Sequence, residues 1–297
     1  LTAVLEQKNG QLKESERETR AFLAAVPADQ RGLLLLSQLL HQQNRSEESI
    51  KLLSKALKDK PKNRPLRLQY ARFLAANTPD KAIAQFEILR ADNPKDQEVN
   101  FLLALMQLSD GNITAAEELL EQASAKPSLR SDAQYHLGVI SEQKEDIAGA
   151  MSHYTQVRFG RNYVAAASRL SALLAKHRSM SQAQQYLQRM RSSQPTQAVI
   201  LFQVESNLLL NAQKPSQALV VLSSGLDYFP NDPQLLYARS MVAEQQDDFA
   251  LAEQDLRAIL AQDQNNATVL NALGYTMILH TNRREEAFEL ITKAYQL

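Results

Sequence analysis

The sequence predicts an all-α chain of stacked helical hairpins, and three observations carry that expectation. Helix formers dominate: only 8 Gly and 10 Pro occur among 297 residues, of which 44% are hydrophobic and 22% charged. Prolines recur at a nearly constant interval. Small residues recur at the same interval in a different phase, each followed four positions later by a large apolar side chain.

From the N-terminus, residues 1–30 fit one degenerate helix ending at Pro27, preceded by a short segment broken near Asn9 and Gly10, as an incomplete or capping unit. The period then sets in. Pro27, Pro61, Pro94, Pro127, Pro195 and Pro230 are separated by 34, 33, 33, 68 and 35 residues, the 68 being two periods with one proline missing. A proline's fixed φ and missing N–H stop a helix and launch the next connection, so these read as helix terminators in register. The second marker runs through Ser49, Ala82, Ala116, Ala150, Ala183, Ala218, Ala252 and Ala287, spaced 33, 34, 34, 33, 35, 34 and 35. Four residues after each comes Leu53, Phe86, Leu120, Tyr154, Leu187, Leu222, Leu256 or Ile291. Residues four apart share a helical face, so one packed helix per period follows. About twelve residues earlier lies a second small position beside a large one, as at Leu36-Ser37, Leu103-Ala104, Leu137-Gly138, Leu170-Ser171 and Leu273-Gly274. That is the other helix of the pair. Two helices joined by a short turn approach closely only where small side chains meet, while the large neighbours fill the groove.

At these residues the chain resembles the tetratricopeptide repeat family, whose 34-residue pattern of small, large and terminal proline positions is the one just read. The resemblance covers residues 31–297 in about eight helix-turn-helix repeats. It implies a right-handed superhelical solenoid, without a polar cap at Leu297 and with repeats continuing beyond it. The segments Asn44–Asn63 and Asp247–Tyr275 look like ordinary members. Three departures should alter local angles and not the fold: a shorter turn around Asn77–Asp80, Arg161 or Asn162 in place of a terminal proline, and Gln264 in place of another.

Little in the sequence points to chemistry. There is no Cys, which excludes disulfides, thiolate zinc sites and cysteine nucleophiles. Phosphate loops, dinucleotide fingerprints, nucleophile elbows and metalloprotease motifs are missing at usable spacing. His41, His136, His153, His177 and His280 fall in different repeats, with no i, i+4 pair for a metal. The acidic pairs Glu47-Glu48, Glu117-Glu118 and Asp247-Asp248 are expected at hairpin turns and second-helix starts, where carboxylates favour the positive end of the helix dipole. No catalytic, cofactor or metal residue is therefore assigned, and the chain is expected not to be an enzyme. The longest apolar runs, such as Leu33 to Leu36, fall far short of the roughly 18 to 20 residues that span a bilayer.

The family resemblance implies that the first helix of each pair lines a concave face. The non-packing positions there are Leu34 and Gln38, Phe101 and Leu105, Tyr135 and Val139, Gln203 and Asn207, Tyr237 and Met241, and Asn271 and Tyr275. Together they make a neutral, partly apolar candidate groove for protein partners. The carboxylate clamp by which chaperone-cofactor members of the family hold an acidic tail needs a Lys and an Asn one turn apart. Gln203 and Asn207 offer the Asn without the Lys, so a chaperone-tail receptor is not expected. An apolar strand, a helix or a folded domain suits the groove better. Net charge is zero and the pI about 7.2, without the continuous basic stripe that nucleic acid requires. Basic runs do occur, from Lys51 to Arg72 and, with no acid at all, from Ile147 to Val204, and are expected on second helices as solvated or acid-docking surface.

The closing segment, Asn271–Leu297, is similar to the repeat of a group of proteobacterial outer-membrane lipoproteins. Members of that group are adaptors that bring a carboxyl-terminal processing protease to cell-wall hydrolases. Met277-Ile278-Leu279-His280 departs from the group's short polar stretch. The resemblance implies a periplasmic scaffold, anchored at the outer membrane through an upstream lipidated cysteine. Two alternatives stay open: an assembly factor of envelope polysaccharide or secretion machinery, and the substrate-selecting region of a larger enzyme.

Overall fold

In the computed structural model, which describes residues 2–297 and side chains from Gly10 onward, seventeen α-helices and no strands occur among the described residues. The chain divides into two compact units, Leu1–Glu145 and Asp146–Leu297. The first holds α1 (Thr2–Ala25), α2 (Gln30–Gln42), α3 (Ser46–Asp59), α4 (Arg64–Ala75), α5 (Pro79–Asp92), α6 (Gln97–Ser109), α7 (Ile113–Ser124) and α8 (Pro127–Gln143). The second holds α9 (Ile147–Thr155), α10 (Tyr163–His177), α11 (Met180–Ser193), α12 (Ala198–Asn211), α13 (Pro215–Tyr228), α14 (Pro233–Gln245), α15 (Phe249–Gln262), α16 (Ala267–His280) and α17 (Arg284–Gln296). Within each unit every helix packs on the next in sequence, so the core is a chain of local clusters. No helix among the described residues is long and apolar enough to cross a membrane.

The packing code is visible in burial. All eight small residues from Ser49 to Ala287 are at most 1% exposed, and Leu53, Phe86, Leu120, Tyr154, Leu187, Leu222 and Leu256 are at most 2% exposed. Each such large side chain contributes about 1.5–3 kcal/mol by leaving water. Ile291 is half-buried and rests on Gly274, where an added Cβ would stand 2.6 Å from Ile291 Cγ1 and 2.9 Å from the Ala287 carbonyl oxygen. Only glycine lets α16 and α17 approach that closely. Ala71, Ser206 and Ser240 complete the first-helix small positions. Where Ser49 replaces alanine, its hydroxyl donates to the Ser37 carbonyl at 2.8 Å and so stays satisfied.

Connections follow two recipes. Between hairpins, the carboxylate or amide of Asp29, Asn63, Asp96, Asp232 or Asn266 caps the first helix by accepting from a backbone N–H two or three residues on. In the first four cases a proline precedes the cap by two residues; Gln264 holds that place before Asn266 with no change in the connection. Within hairpins, Asn44, Gly111, Glu145, Gln213 and Asp247 take positive φ, from 57° to 81°. In four of these turns the next N–H reaches back five residues, from Arg45 to Leu40, Asn112 to Gln107, Lys214 to Leu209 and Asp248 to Ala243, at 2.8–2.9 Å. That is the left-handed helix stop that satisfies the last carbonyls of α2, α6, α12 and α14.

Several expectations need correction. Helix α1 runs unbroken through Asn9 and Gly10. It is docked to the following turn by Glu16, which accepts from Arg20 at 2.7 Å, Arg45 at 2.7 Å and Gln43 at 2.9 Å. Pro127 and Pro195 follow α7 and α11 as the spacing predicts, but they also open the next element, Pro127 at the first turn of α8, where its missing N–H costs nothing, and Pro195 in a short 3₁₀ turn before α12. Where Arg161 and Asn162 stand for the absent proline, α9 ends early at Thr155, and residues 156–162 cross to α10 with Gly160 at φ 92°. Glu117 and Glu118 lie in the second turn of α7, not at its start, and Glu117 bonds Lys144.

Candidate functional site

The twelve groove positions fall six on each unit. On the first, Leu34 on α2 and Phe101 on α6 are half-buried and pack against the apolar clusters around Leu53 and Leu103. Leu105, Tyr135 and Val139 are half-buried too, and Gln38 is exposed. His136 gathers the aromatics: its ring lies 6.2 Å from Phe101 and 5.2 Å, edge on, from Tyr135. Leu34 and Phe101 are thus shared with the core, because a first-helix position facing the neighbouring hairpin is covered on one side only.

On the second unit the arrangement is more open. Asn207, Met241, Asn271 and Tyr275 are exposed, Tyr275 by 58% and Met241 by 46%. Gln203 and Tyr237, half-buried, line one cavity of about 370 Å³. Gln203 donates through Nε2 to the Gln234 carbonyl oxygen at 3.2 Å, which ties α12 to α14 at the rim. Gln234, Thr268 and Val269 also line the cavity, one turn or less before the chosen positions Tyr237 and Asn271. Sequence reading missed them, although the three-residue spacing back along the same helix face was available. No lining residue is charged. The cavity offers amide, hydroxyl and phenol groups over an apolar floor.

Charged residues lie elsewhere, and the basic runs are not confined to second helices. Lys51, Lys55 and Lys58 do sit exposed on α3. Arg64 and Arg72 belong to the first helix α4 and engage Asp96 and Glu98 at 2.6 Å, so their charge is internally matched. Burial, the largest single effect, pushes the Asp96 carboxyl up, but the hydrogen bond and charge of the Arg64 guanidinium together with the Val99 and Glu98 N–H groups outweigh it and hold the carboxyl below the usual carboxylate range. In the second run Arg169 and Lys176 are on α10, a first helix, and Arg191 is on α11.

Two histidines stack on phenylalanines, His41 on Phe73 at 4.4 Å and His280 on Phe249 at 3.5 Å between centroids, which places them as packing groups. No group of three His, Cys, Asp or Glu residues that could hold a metal occurs among the described residues.

The tetratricopeptide repeat model matches residues 1–64, 72–128, 108–160 and 204–267. A TPR repeat-containing protein of Pseudomonas aeruginosa, PA4667, is 38% identical over 266 residues, or 89% of this chain. The chain spans 45% of that relative's length. The crystal structure of a tetratricopeptide repeat protein from Parabacteroides merdae superposes over 89% of this chain and 98% of its own, at 12% identity and a TM-score of 0.52, a likeness of fold.

Proposed function

Because this chain belongs to the tetratricopeptide repeat family, we propose that it is a non-catalytic scaffold that holds protein partners on the first helices of its hairpins. Repeats of this family generally mediate protein–protein interactions, since each hairpin adds surface to its neighbour's. The observation that carries the reading is the cavity between α12, α14 and α16. It is uncharged, lined by Gln203 and Tyr237, and continued by the exposed Met241 and Tyr275. Aromatic anchors amid adaptable amides are the composition of a protein-binding surface.

The finer reading is an adaptor that binds a carboxyl-terminal processing protease and presents cell-wall hydrolases to it, from a lipid-anchored position on the periplasmic side of an outer membrane. It rests on the likeness of Asn271–Leu297 to the adaptor lipoproteins, and a relative from Pseudomonas aeruginosa suits a proteobacterial setting. Affinity capture from a bacterial envelope extract, with partners identified by mass spectrometry, tests it. Recovery of a processing protease together with a peptidoglycan hydrolase supports the adaptor. Recovery of polysaccharide or secretion components instead overturns it and leaves the scaffold in an assembly role.

A further inference from the structure

The first unit holds a cavity of about 430 Å³ that shares no residue with the groove. It is lined by Arg90 of α5, Pro94 and Lys95 of the following connection, Gln97 and Asn100 of α6, and Gln122 of α7. In four repeats the position four residues before the small first-helix residue holds a large buried apolar side chain, Leu33, Phe202, Leu236 or Leu270. At that place α6 buries Asn100 instead, 0% exposed. Its Nδ2 donates to the Pro94 carbonyl oxygen at 3.0 Å and to Gln122 Oε1 at 2.9 Å. A backbone carbonyl only accepts, so this fixes Nδ2 on that side and Oδ1 on the other. Asn100 Oδ1 and Arg90 Nε are buried without a hydrogen-bond partner, and no other buried side-chain nitrogen or oxygen among the described residues is left so. Neither Arg90 nor Lys95 forms an ion pair among the described residues. No carboxylate lines the cavity. Asp96 and Glu98 are held by Arg64 and Arg72, and Glu87 lies in a separate cavity beyond Arg90 and Pro94.

We infer that this cavity binds a phosphate oxyanion that carries a proton, either free hydrogenphosphate or the monoester end of a larger molecule. Its oxygens accept from Arg90 and Lys95, and its P–OH donates to Asn100 Oδ1. The chemistry of the two buried atoms leads there. Arg90 Nε is a donor and Asn100 Oδ1 an acceptor, so the group that satisfies both must accept and donate at once. A carboxylate or a sulfate only accepts, and would set its lone pairs against Oδ1. A water or a sugar diol does both but leaves two cations uncompensated, whereas a charged oxygen on Arg or Lys makes the stronger, charge-assisted bond. The volume falls within the range of small-molecule sites and leaves room for an ester substituent.

The test is isothermal titration calorimetry of the full chain at about pH 6, where roughly half of a phosphate monoester carries its second proton. Inorganic phosphate, glucose 1-phosphate, sulfate and dimethyl phosphate are compared, the last two having no proton to donate. Inorganic phosphate is expected to bind about tenfold or more tightly than sulfate or dimethyl phosphate. Glucose 1-phosphate binding as well as phosphate assigns the site to the end of a larger molecule, and phosphate binding alone assigns it to the free ion; either supports the site. Asn100→Leu installs the side chain that other repeats carry at this position, so it should fold, as judged by circular dichroism, and lose the preference for phosphate over sulfate. Lys95→Ala, at an exposed position, should keep the fold and weaken phosphate by about threefold or more, while Lys51→Ala, exposed on α3, should leave it unmoved. The anion comparison and Lys95→Ala decide the matter even if Asn100→Leu unfolds. Equal binding of phosphate and sulfate, unchanged phosphate binding in folded Asn100→Leu or in Lys95→Ala, or no binding of phosphate at about 10 mM, as when a water alone satisfies the two atoms, overturns the assignment.

Discussion

Arg239 on α14 grips Asp255 on α15 through two hydrogen bonds, Nε to Oδ2 at 2.8 Å and Nη2 to Oδ1 at 2.7 Å, joining the two helices of one hairpin. The Asp255 side chain is 1% exposed and that of Arg239 16%, and Nη1 donates further to Ser223 Oγ at 3.1 Å. Removing one member of such a pair strands a buried charge, at a cost of about 3–5 kcal/mol, whereas replacing both by apolar residues of similar volume is often neutral. Asp255→Ala should therefore lose about that much stability in urea unfolding, and Arg239→Met with Asp255→Leu much less. Equal losses would mean that the geometry of the pair, and not charge compensation, sustains the hairpin.

This pair marks the limit of what the sequence displays. Ala82 and Phe86, four apart and both buried, repeat with the period and can be read from spacing alone. Arg239 and Asp255 are 16 residues apart, and Arg191 and Glu205 are 14 apart. Charged residues at such spacing look like solvated surface until helices bring them together. Gln213 is equally silent, because a left-handed turn is normally announced by glycine, as at Gly111. The groove was legible as a helix face but not as a mixture. Leu34 and Phe101 were drawn into the core by the next hairpin, while Gln203 and Tyr237 came to share a cavity whose other walls, Gln234 and Thr268, lay one turn away.

Gln213 holds φ at 57°, a region that costs a residue with a Cβ roughly 1–2 kcal/mol. Gln213→Gly should raise stability by about 0.5–1 kcal/mol, the relief of strain exceeding the added freedom of the unfolded chain. Gly111→Ala, at φ 81°, should do the reverse by a similar amount. Thermal midpoints of the two variants moving in the same direction would contradict this account of the turns.

Acid should weaken the junction of α15 with α17. Arg283 and Arg257 each donate to Glu253 at 2.8 Å, and the Arg283 bond, followed by opposing burial and the Arg257 bond, holds its carboxyl below the usual glutamate range. A carboxyl lowered on folding contributes stability that is fully present above its unfolded value, about 4.3, and lost as pH falls through the folded one. Glu253→Gln should then be less stable than the parent at pH 7 and converge with it by about pH 2. Thermal unfolding across that range checks the sign, and a constant gap between the two curves would refute the linkage.

Partner capture distinguishes contact from core at the groove. Tyr237 both lines the cavity and packs against the cluster of Leu236, Ile259 and Val269, so Tyr237→Ala should lower stability as well as affinity, the latter by about 1–3 kcal/mol. Tyr135→Ala should behave likewise if the first unit's aromatic group takes part. Tyr275 and Met241 separate the two effects, since both are exposed and their truncation removes little buried surface. Tyr275→Ala and Met241→Ala should leave the unfolding midpoint nearly unchanged while weakening the captured partner, measured by titration of that partner against each variant. If they bind as the parent does and only Tyr237→Ala loses stability, the first-helix face is core and the partner lies elsewhere.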